Sequence, residues 1–279
     1  MHDLAHHDAI RSRQREVTLL FADLRGFTEL AAALEMDPLF CELLGHVMDC
    51  LTEAVLNHKG TVVDYYGDGL VAMWNAADEQ REHPDLACSA ALEMLNTLPS
   101  VASDWSGVTH SDLRLGIGVH TGMVQVGNAG STRQAKYGPR GPNVHIASRV
   151  EAATKALGQP LIATTTTAQR LSNRFAANRI CRARMPGLRR PLDLYAVRSS
   201  TGDARLSAEW QIYDTALQHF EQDRLQDAAD ALAKIEGQGA VTPCRFLADE
   251  IQREIGRQQR RRSTDRQRAT GGVIMLHAK

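Results

Sequence analysis

Two aspartates, each at the end of an apolar strand, are the residues best placed to do chemistry. Asp23 follows Val17-Thr18-Leu19-Leu20-Phe21-Ala22 and precedes Leu24-Arg25-Gly26-Phe27-Thr28. Asp68 lies in Val63-Asp64-Tyr65-Tyr66-Gly67-Asp68-Gly69. An apolar run ending in aspartate reads as a buried strand whose carboxylate emerges at a sheet edge. With the two strands side by side, Asp23 and Asp68 meet. Two carboxylates next to a helix start can hold one or two Mg²⁺ or Mn²⁺ ions, while the free N–H groups of that helix grip phosphates. Each aspartate taken alone is equally well explained as a turn residue.

The elements that must position this pair follow from hydrophobic spacing. Val17 to Phe21 is a strand, and 27–33 a short helix. Pro38 opens a longer helix with Phe40, Leu43, Leu44, Val47, Met48, Leu51, Ala54 and Val55 at helical spacing, stopped by Asn57-His58-Lys59-Gly60. Thr61–Tyr66 and Leu70–Trp74 form a strand pair around Gly67-Asp68-Gly69. Pro84 opens a third helix, and Ser100–Ser111 is a polar linker. Leu113–His120 alternates as a strand, Thr121-Gly122 is a turn, and Met123–Val126 returns. Residues 127–142 read as a glycine-rich loop or flap. Asn143–Leu157 is a helix, Pro160–Thr164 a strand, Thr165–Ser172 a helix and Leu192–Val197 the last strand. This order predicts an α+β sandwich, a mostly antiparallel sheet with helices on one face. Beyond a linker, Trp210–Asp223 and Leu225–Ile235 form an amphipathic pair, followed by a helical segment from Pro243 to about Arg262.

Composition bounds the function. The chain has 279 residues, 43% hydrophobic, enough for a real core, and a net charge of −1 that gives no case for nucleic acid as a partner. Its five cysteines (Cys41, Cys50, Cys88, Cys181, Cys244) show no Cys-x-x-Cys spacing. That suits a reducing cytoplasm and argues against structural zinc or a disulfide framework. No apolar run approaches ~18 residues, so no membrane span is expected, and the N-terminus lacks an apolar signal core. His2, His6 and His7 fall in an expected disordered lead. The Arg-rich run from Arg257 to Arg268 reads as a solvated, frayed tail.

Four motifs in order make the two aspartates specific: Phe21-Ala22-Asp23-Leu24-Arg25-Gly26-Phe27-Thr28, then Tyr66-Gly67-Asp68-Gly69-Leu70-Val71-Ala72-Met73-Trp74, then the glycine-rich strand Leu115 to Asn128, then Ile146-Ala147-Ser148-Arg149-Val150-Glu151. Together they resemble the class III nucleotidyl cyclase catalytic domain, over roughly Val17 to Val197, with Asp193-Leu194-Tyr195 matching its end. The resemblance implies a ferredoxin-like cyclase sandwich. It also implies conversion of a nucleoside triphosphate to the 3′,5′-cyclic monophosphate and pyrophosphate. Two ions, Mn²⁺ or Mg²⁺, would sit on Asp23 and Asp68, with the Leu24 carbonyl as a possible further ligand. One ion would help form the 3′-alkoxide and the other would bind the β- and γ-phosphates. Leu24 to Thr28, with Gly26 and Phe27, would cradle the triphosphate, and Arg133 and Arg189 or Arg190 are candidate phosphate contacts. It implies a homodimer with shared sites, the partner supplying Arg149 and, where members carry Asn, His145. A histidine can donate a hydrogen bond and carry charge. This departure leaves open a slower enzyme or an inactive one, though Asp23, Asp68 and Arg149 favour activity.

The resemblance places base recognition at Asp64, flanked by Tyr65, and at Gly138. Members that use ATP carry Lys at the first position and Asp or Thr at the second; those that use GTP carry Glu and Cys. Neither pair is present. Asp64 accepts rather than donates, which suits the N–H of uracil or guanine or a cytosine amine. These departures favour similarity to the pyrimidine cyclases of bacterial anti-phage defence, acting on UTP or CTP, whose product is read by a separate cyclic-nucleotide-sensing effector. An adenylate cyclase making cAMP is the alternative, and a guanylate cyclase the third choice. A catalytically inactive dimerisation or nucleotide-sensing module is the alternative of another class. The expected organisation is a lead over 1–16, a catalytic domain over 17–198, a linker over 199–207, a helical tetratricopeptide-like cap over 208–262 and a tail over 263–279.

Overall fold

The structure, a computed structural model, describes residues 12–27, 38–105, 113–131, 133–200, 203–235, 243–263 and 273–276. It divides into two compact units, Met1–Glu151 and Ala152–Lys279. Both are mixed α and β, and their strands are mostly antiparallel.

The first unit contains β1 (Arg13–Arg25), α1 (Pro38–Asn57), β2 (Thr61–Tyr66), β3 (Gly69–Trp74), α2 (His83–Asp104), β4 (Arg114–Gly130), β5 (Ala135–Arg140) and α3 (Pro142–Leu157) as far as Glu151. Its sheet runs β2–β3–β1–β4, with β5 on β4, and every pairing is antiparallel. β1 is central and covered on both faces, so Val17 and Leu19 on one face and Leu20 on the other are fully buried. The helical stripe expected on α1 is present: Leu43, Val47, Leu51, Ala54 and Val55 are buried. That helix ends where Lys59 turns left-handed (φ 58°) and the Gly60 N–H bonds to the Val55 carbonyl at 2.8 Å. Gly60 is required there because a Cβ would lie 2.6 Å from the Trp74 ring.

The third motif departs from expectation. No turn occurs at Thr121-Gly122: β4 is one strand of 17 residues. The reason is its partner. β1 pairs with β4 from Arg13↔Val126 to Arg25↔Arg114, passing through Thr18↔Thr121 and Val17↔Gly122 without a break. Gly122 serves close approach instead, since a Cβ would lie 2.7 Å from the Asn143 side chain. The expected loop at 127–142 instead holds the end of β4 and β5, which pair as Gly127↔Gly138. β1 begins at Arg13, inside the expected lead. α2 continues through Pro99 to Asp104, into the expected linker. The expected helix at 27–33 lies outside the described residues beyond Phe27, as do His2, His6 and His7.

The second unit contains β6 (Leu161–Thr164), α4 (Thr165–Ala168), β7 (Phe175–Arg184), β8 (Leu192–Ser199), α5 (Ala204–Glu221), α6 (Leu225–Leu232), α7 (Cys244–Ser263) and β9 (Ile274–Met275). Its strands run β6–β8–β7–β9, and the β7–β9 contact is parallel, Ala183↔Ile274. β7 was not anticipated. Part of the expected tail is the edge strand β9, so β8 is not the last strand. α4 is one turn, shorter than expected. α5 starts within the expected linker, capped by Asp203, whose carboxylate accepts the Leu206 N–H at 3.1 Å. Its Tyr213 hydroxyl donates to the Ile180 carbonyl of β7 at 2.8 Å. Among the described residues no helix is long and apolar enough to cross a membrane.

Candidate active site

The two strands that carry the aspartates are neighbours. β1 and β3 pair at Asp23↔Gly69, so Asp68, in the turn just before β3, comes beside Asp23. The turn closes because Gly67 takes a left-handed φ of 62°. Gly69 must lack a side chain: a Cβ would lie 3.0 Å from the Ala22 carbonyl and 3.1 Å from Asp23 Oδ1. Burial raises the Asp23 carboxyl above the ordinary aspartate range, Asp68 adds to the rise, and Arg25 opposes it. Burial raises Asp68 as well, against its own backbone hydrogen bond and Arg25. These are carboxylates whose charge is undercompensated by the chain, the condition a bound cation relieves.

A third carboxylate faces them. Glu151 on α3 accepts from Arg25 Nη2 at 2.7 Å, and the same nitrogen reaches the Glu151 carbonyl at 3.3 Å. Burial pushes Glu151 up to about 7; Arg25 pulls it down, and Asp23 and Asp68 push it further up. Arg25 thus stands between the aspartates and α3. Neither the Arg25 side chain nor Glu151 carries an expected role from the sequence, although both lie inside the four motifs.

α3 is seated by two contacts. Gly118 on β4 lets its backbone approach, because a Cβ there would lie 2.6 Å from the Glu151 Cα. Asn143 Oδ1 accepts the His120 Nε2–H at 2.9 Å, and its Nδ2 donates to the Met123 carbonyl at 2.7 Å. Seated this way, α3 turns His145, Ser148 and Glu151 into a cleft of about 460 Å³ that Phe21, Asp23, Tyr66 and Gly69 also line. His145 and Arg149 are both exposed, one helical turn apart on one face. Arg149 does not line this cleft.

The remaining expected residues divide. Leu24 is buried and pairs with Leu115. Gly26 has φ 78°, turning the chain as it leaves β1. Phe27 stacks on Phe40 with ring centroids 5.0 Å apart, so its side chain anchors α1. Thr28 lies outside the described residues. Arg133 is exposed in the β4–β5 turn, and Arg189 is exposed in the second unit. Tyr65 turns from the cleft, its hydroxyl 2.8 Å from Thr52 Oγ1 on α1; Tyr66 takes the cleft side. Gly138 comes close to Val63, the neighbour of Asp64 on β2. β2 shifts register between Val62 and Asp64, and a Cβ at Gly138 would lie 3.1 Å from Val63 Cγ1. Asp64 is ion-paired with Lys136 of β5, a residue that lies in none of the four motifs.

Among the described residues no three His, Cys, Asp or Glu side chains form a ready-made metal cage. Two hard carboxylate donors, with a backbone carbonyl and a ligand's phosphates to complete the shell, nevertheless fit Mg²⁺ or Mn²⁺, which keep few protein ligands.

The comparisons agree with this geometry. Residues 10–199 match the family model described as the adenylate and guanylate cyclase catalytic domain. The chain is 28% identical over 184 residues to Adenylate cyclase 1 of Rhizobium meliloti (strain 1021), covering 66% of this chain and 28% of that protein. It is 29% identical over 159 residues to an adenylate cyclase of Anabaena cylindrica, covering 57% of this chain and 31% of that one. It therefore spans less than a third of either relative. Among solved structures, the adenylyl cyclase CyaB from P. aeruginosa superposes with TM-score 0.64 at 24% identity, covering 69% of this chain and 98% of that one. The guanylyl cyclase Cya2 superposes with TM-score 0.60 at 27% identity, covering 69% and 96%. With the four motifs in order and the paired aspartates at one sheet edge, the chain belongs to the class III adenylate and guanylate cyclase catalytic-domain family.

Proposed function

We propose that this chain forms a homodimer that converts a nucleoside triphosphate to its 3′,5′-cyclic monophosphate and pyrophosphate. The observation that carries the proposal is the meeting of Asp23 and Asp68 at one sheet edge, with undercompensated charge. In the reaction the 3′-hydroxyl oxygen bonds to the α-phosphorus, its proton is lost, and the bond from that phosphorus to the bridging oxygen breaks, releasing pyrophosphate. Asp23, Asp68 and the Leu24 carbonyl would hold two divalent ions, Mn²⁺ or Mg²⁺, which supply charge neutralisation for the triphosphate. Gly26 turns the chain so that the following N–H groups can receive phosphate oxygens. Arg149 and His145, one turn apart and exposed on α3, would donate hydrogen bonds to the phosphoryl group held by the partner subunit's aspartates, with His145 also lining this chain's own cleft. Arg133 and Arg189 remain candidate triphosphate contacts.

For the base, Asp64 and Gly138 depart from the residues expected for ATP or GTP, which supports a pyrimidine, UTP or CTP. The product would then be cUMP or cCMP, a messenger read by a separate sensing effector in anti-phage defence. The second reading is ATP, supported by the relatives described as adenylate cyclases. Free cysteines throughout the described residues suit a reducing, cytoplasmic location. The test is a product assay. The purified chain is incubated with ATP, GTP, CTP and UTP, separately and mixed, with Mn²⁺ and with Mg²⁺, and products are read by mass against an Asp23→Ala blank. A cyclic pyrimidine nucleotide dominating the mixture supports the first reading, and cAMP the second. No product from any nucleotide sinks the enzyme and leaves an inactive, nucleotide-sensing dimer.

A further inference from the structure

Lys136 lies in none of the motifs that carry the family resemblance, yet it faces the position where base recognition is expected. It is on β5, two residues before Gly138, and side chains two apart on a strand share a face. Tyr137 between them packs against the hydrophobic core. From that face the Lys136 ammonium pairs with Asp64 Oδ1 on β2. The same carboxylate oxygen accepts the Tyr65 N–H at 2.9 Å. The hydrogen bond from Lys136, together with the Tyr65 N–H and the Tyr66 hydroxyl, holds Asp64 below the ordinary aspartate range, against a smaller opposing effect of burial. Asp64 is therefore an ionised acceptor at neutral pH, with a cation beside it.

Gly138 explains why the cation arrives from position 136. A Cβ at 138 would lie 3.1 Å from Val63 Cγ1 and 3.3 Å from Arg140 Nη1. The close approach of β5 to β2 crowds any side chain at 138, and Lys136, on the same face, reaches Asp64.

We propose that Lys136 and Asp64 act as one donor–acceptor pair that reads the edge of the nucleobase and selects the keto bases, uracil and guanine, over the amino bases, cytosine and adenine. The proposal rests on the cyclase reading above. A keto base places a carbonyl oxygen next to a ring N–H, an imide in uracil and a lactam in guanine. The ammonium donates to that oxygen and the carboxylate accepts that N–H, both charge-assisted bonds to strongly polarised partners. An amino base offers an amine N–H and a bare ring nitrogen. The pair can meet these only in the reverse order, with a weaker donor for the carboxylate and a weaker acceptor for the ammonium. Asp64 alone would read only the N–H; Lys136 adds the carbonyl.

The experiment compares the native chain with Lys136→Met, Lys136→Gln and Asp64→Asn. It measures kcat/KM for the four nucleoside triphosphates with Mn²⁺, and equilibrium binding of the same four with Ca²⁺ in place of Mn²⁺. UTP and GTP are expected to exceed CTP and ATP by about tenfold or more. Both Lys136 variants should compress that ratio to within about threefold, the loss falling on UTP and GTP. Equal losses on all four nucleotides, an unchanged ratio, or a native preference for CTP or ATP overturns the proposal. If nothing is turned over, the enzyme reading has failed. The binding series then decides this one alone: a keto preference in Kd that Lys136→Met abolishes supports it, and equal or absent binding overturns it.

Discussion

Gly118 of β4 and Glu151 of α3 meet backbone to backbone: a Cβ on Gly118 would lie 2.6 Å from the Glu151 Cα and 2.7 Å from the Val150 carbonyl carbon. Neither segment can yield cheaply, since β4 is held along β1 and the contact is with main chain. Gly118→Ala is therefore expected to cost about 1–3 kcal/mol, in line with other overpacking changes, and to lower activity further by displacing His145 and Arg149. Thermal unfolding with the cyclase assay checks this. An unchanged melting temperature would mean that α3 is not seated on Gly118.

A shared site makes a sharper demand. Asp23→Ala and Arg149→Ala homodimers should each be inactive, because each lacks half of every site. Mixed in equal amounts with free subunit exchange, they should recover about a quarter of native activity, from the mixed dimers with one intact site each. Activity that stays at the blank while exchange is verified by a tag would count against sites shared between subunits.

The resemblance places His145 where other members carry Asn. The histidine lines the cleft and keeps a ring N–H able to donate. His145→Leu, which removes the donor, should lower kcat by about 10²–10³, whereas His145→Asn, which restores one, should stay near the native rate. A native rate in His145→Leu would remove the histidine from the chemistry.

How far the sequence carried this far depended on what each feature is made of. β1, α1 and the β2–β3 turn were legible because local pattern decides them: an apolar run, a 3.6-residue stripe, Gly67-Asp68-Gly69. β4 was misread because its glycines look like turn signals, while their cause is distant. Gly118 yields to Glu151 and Gly122 to Asn143, contacts that local pattern does not contain. β7 was missed because its inward Arg179 breaks the apolar alternation, and its partners, Asp193 and Glu221, come from β8 and α5. In the candidate site, Asp23, Asp68 and His145 stand out by motif. Lys136 does not, because its meaning depends on a hairpin that read as a loop.

The Glu151 carboxyl gives a pH dependence. Its folded value is raised from 4.5 to about 7, so between those values the native state holds a proton that the unfolded state has released. Its contribution is fully present below about pH 4.5 and is lost as pH rises through about 7. In the metal-free chain the loss is on the order of 3 kcal/mol. Denaturant unfolding from pH 5 to 8 should show this fall, and Glu151→Gln should flatten it. An equal slope in the variant would assign the pH dependence to other groups.

The C-terminal helices read as a helical cap, and α5 packs on β7 within the second unit. Tyr213, fully buried, donates to the Ile180 carbonyl. Glu221 joins Asp193 in holding Arg179, at 2.6 and 2.7 Å respectively. Ending the chain after Ser200 removes both contacts. It uncovers Ile180 and Cys181, which are fully buried, and leaves a partly buried Arg179 with one carboxylate instead of two. The shortened chain is expected to aggregate or to melt at a markedly lower temperature, because unpaired buried groups and exposed apolar surface both disfavour the folded state. Arg179→Met in the full chain should reproduce part of that loss, about 2–4 kcal/mol, since two carboxylates would face each other without a cation. A truncated chain that keeps its melting temperature, its dimer and its full activity would instead assign α5, α6 and α7 to binding a partner.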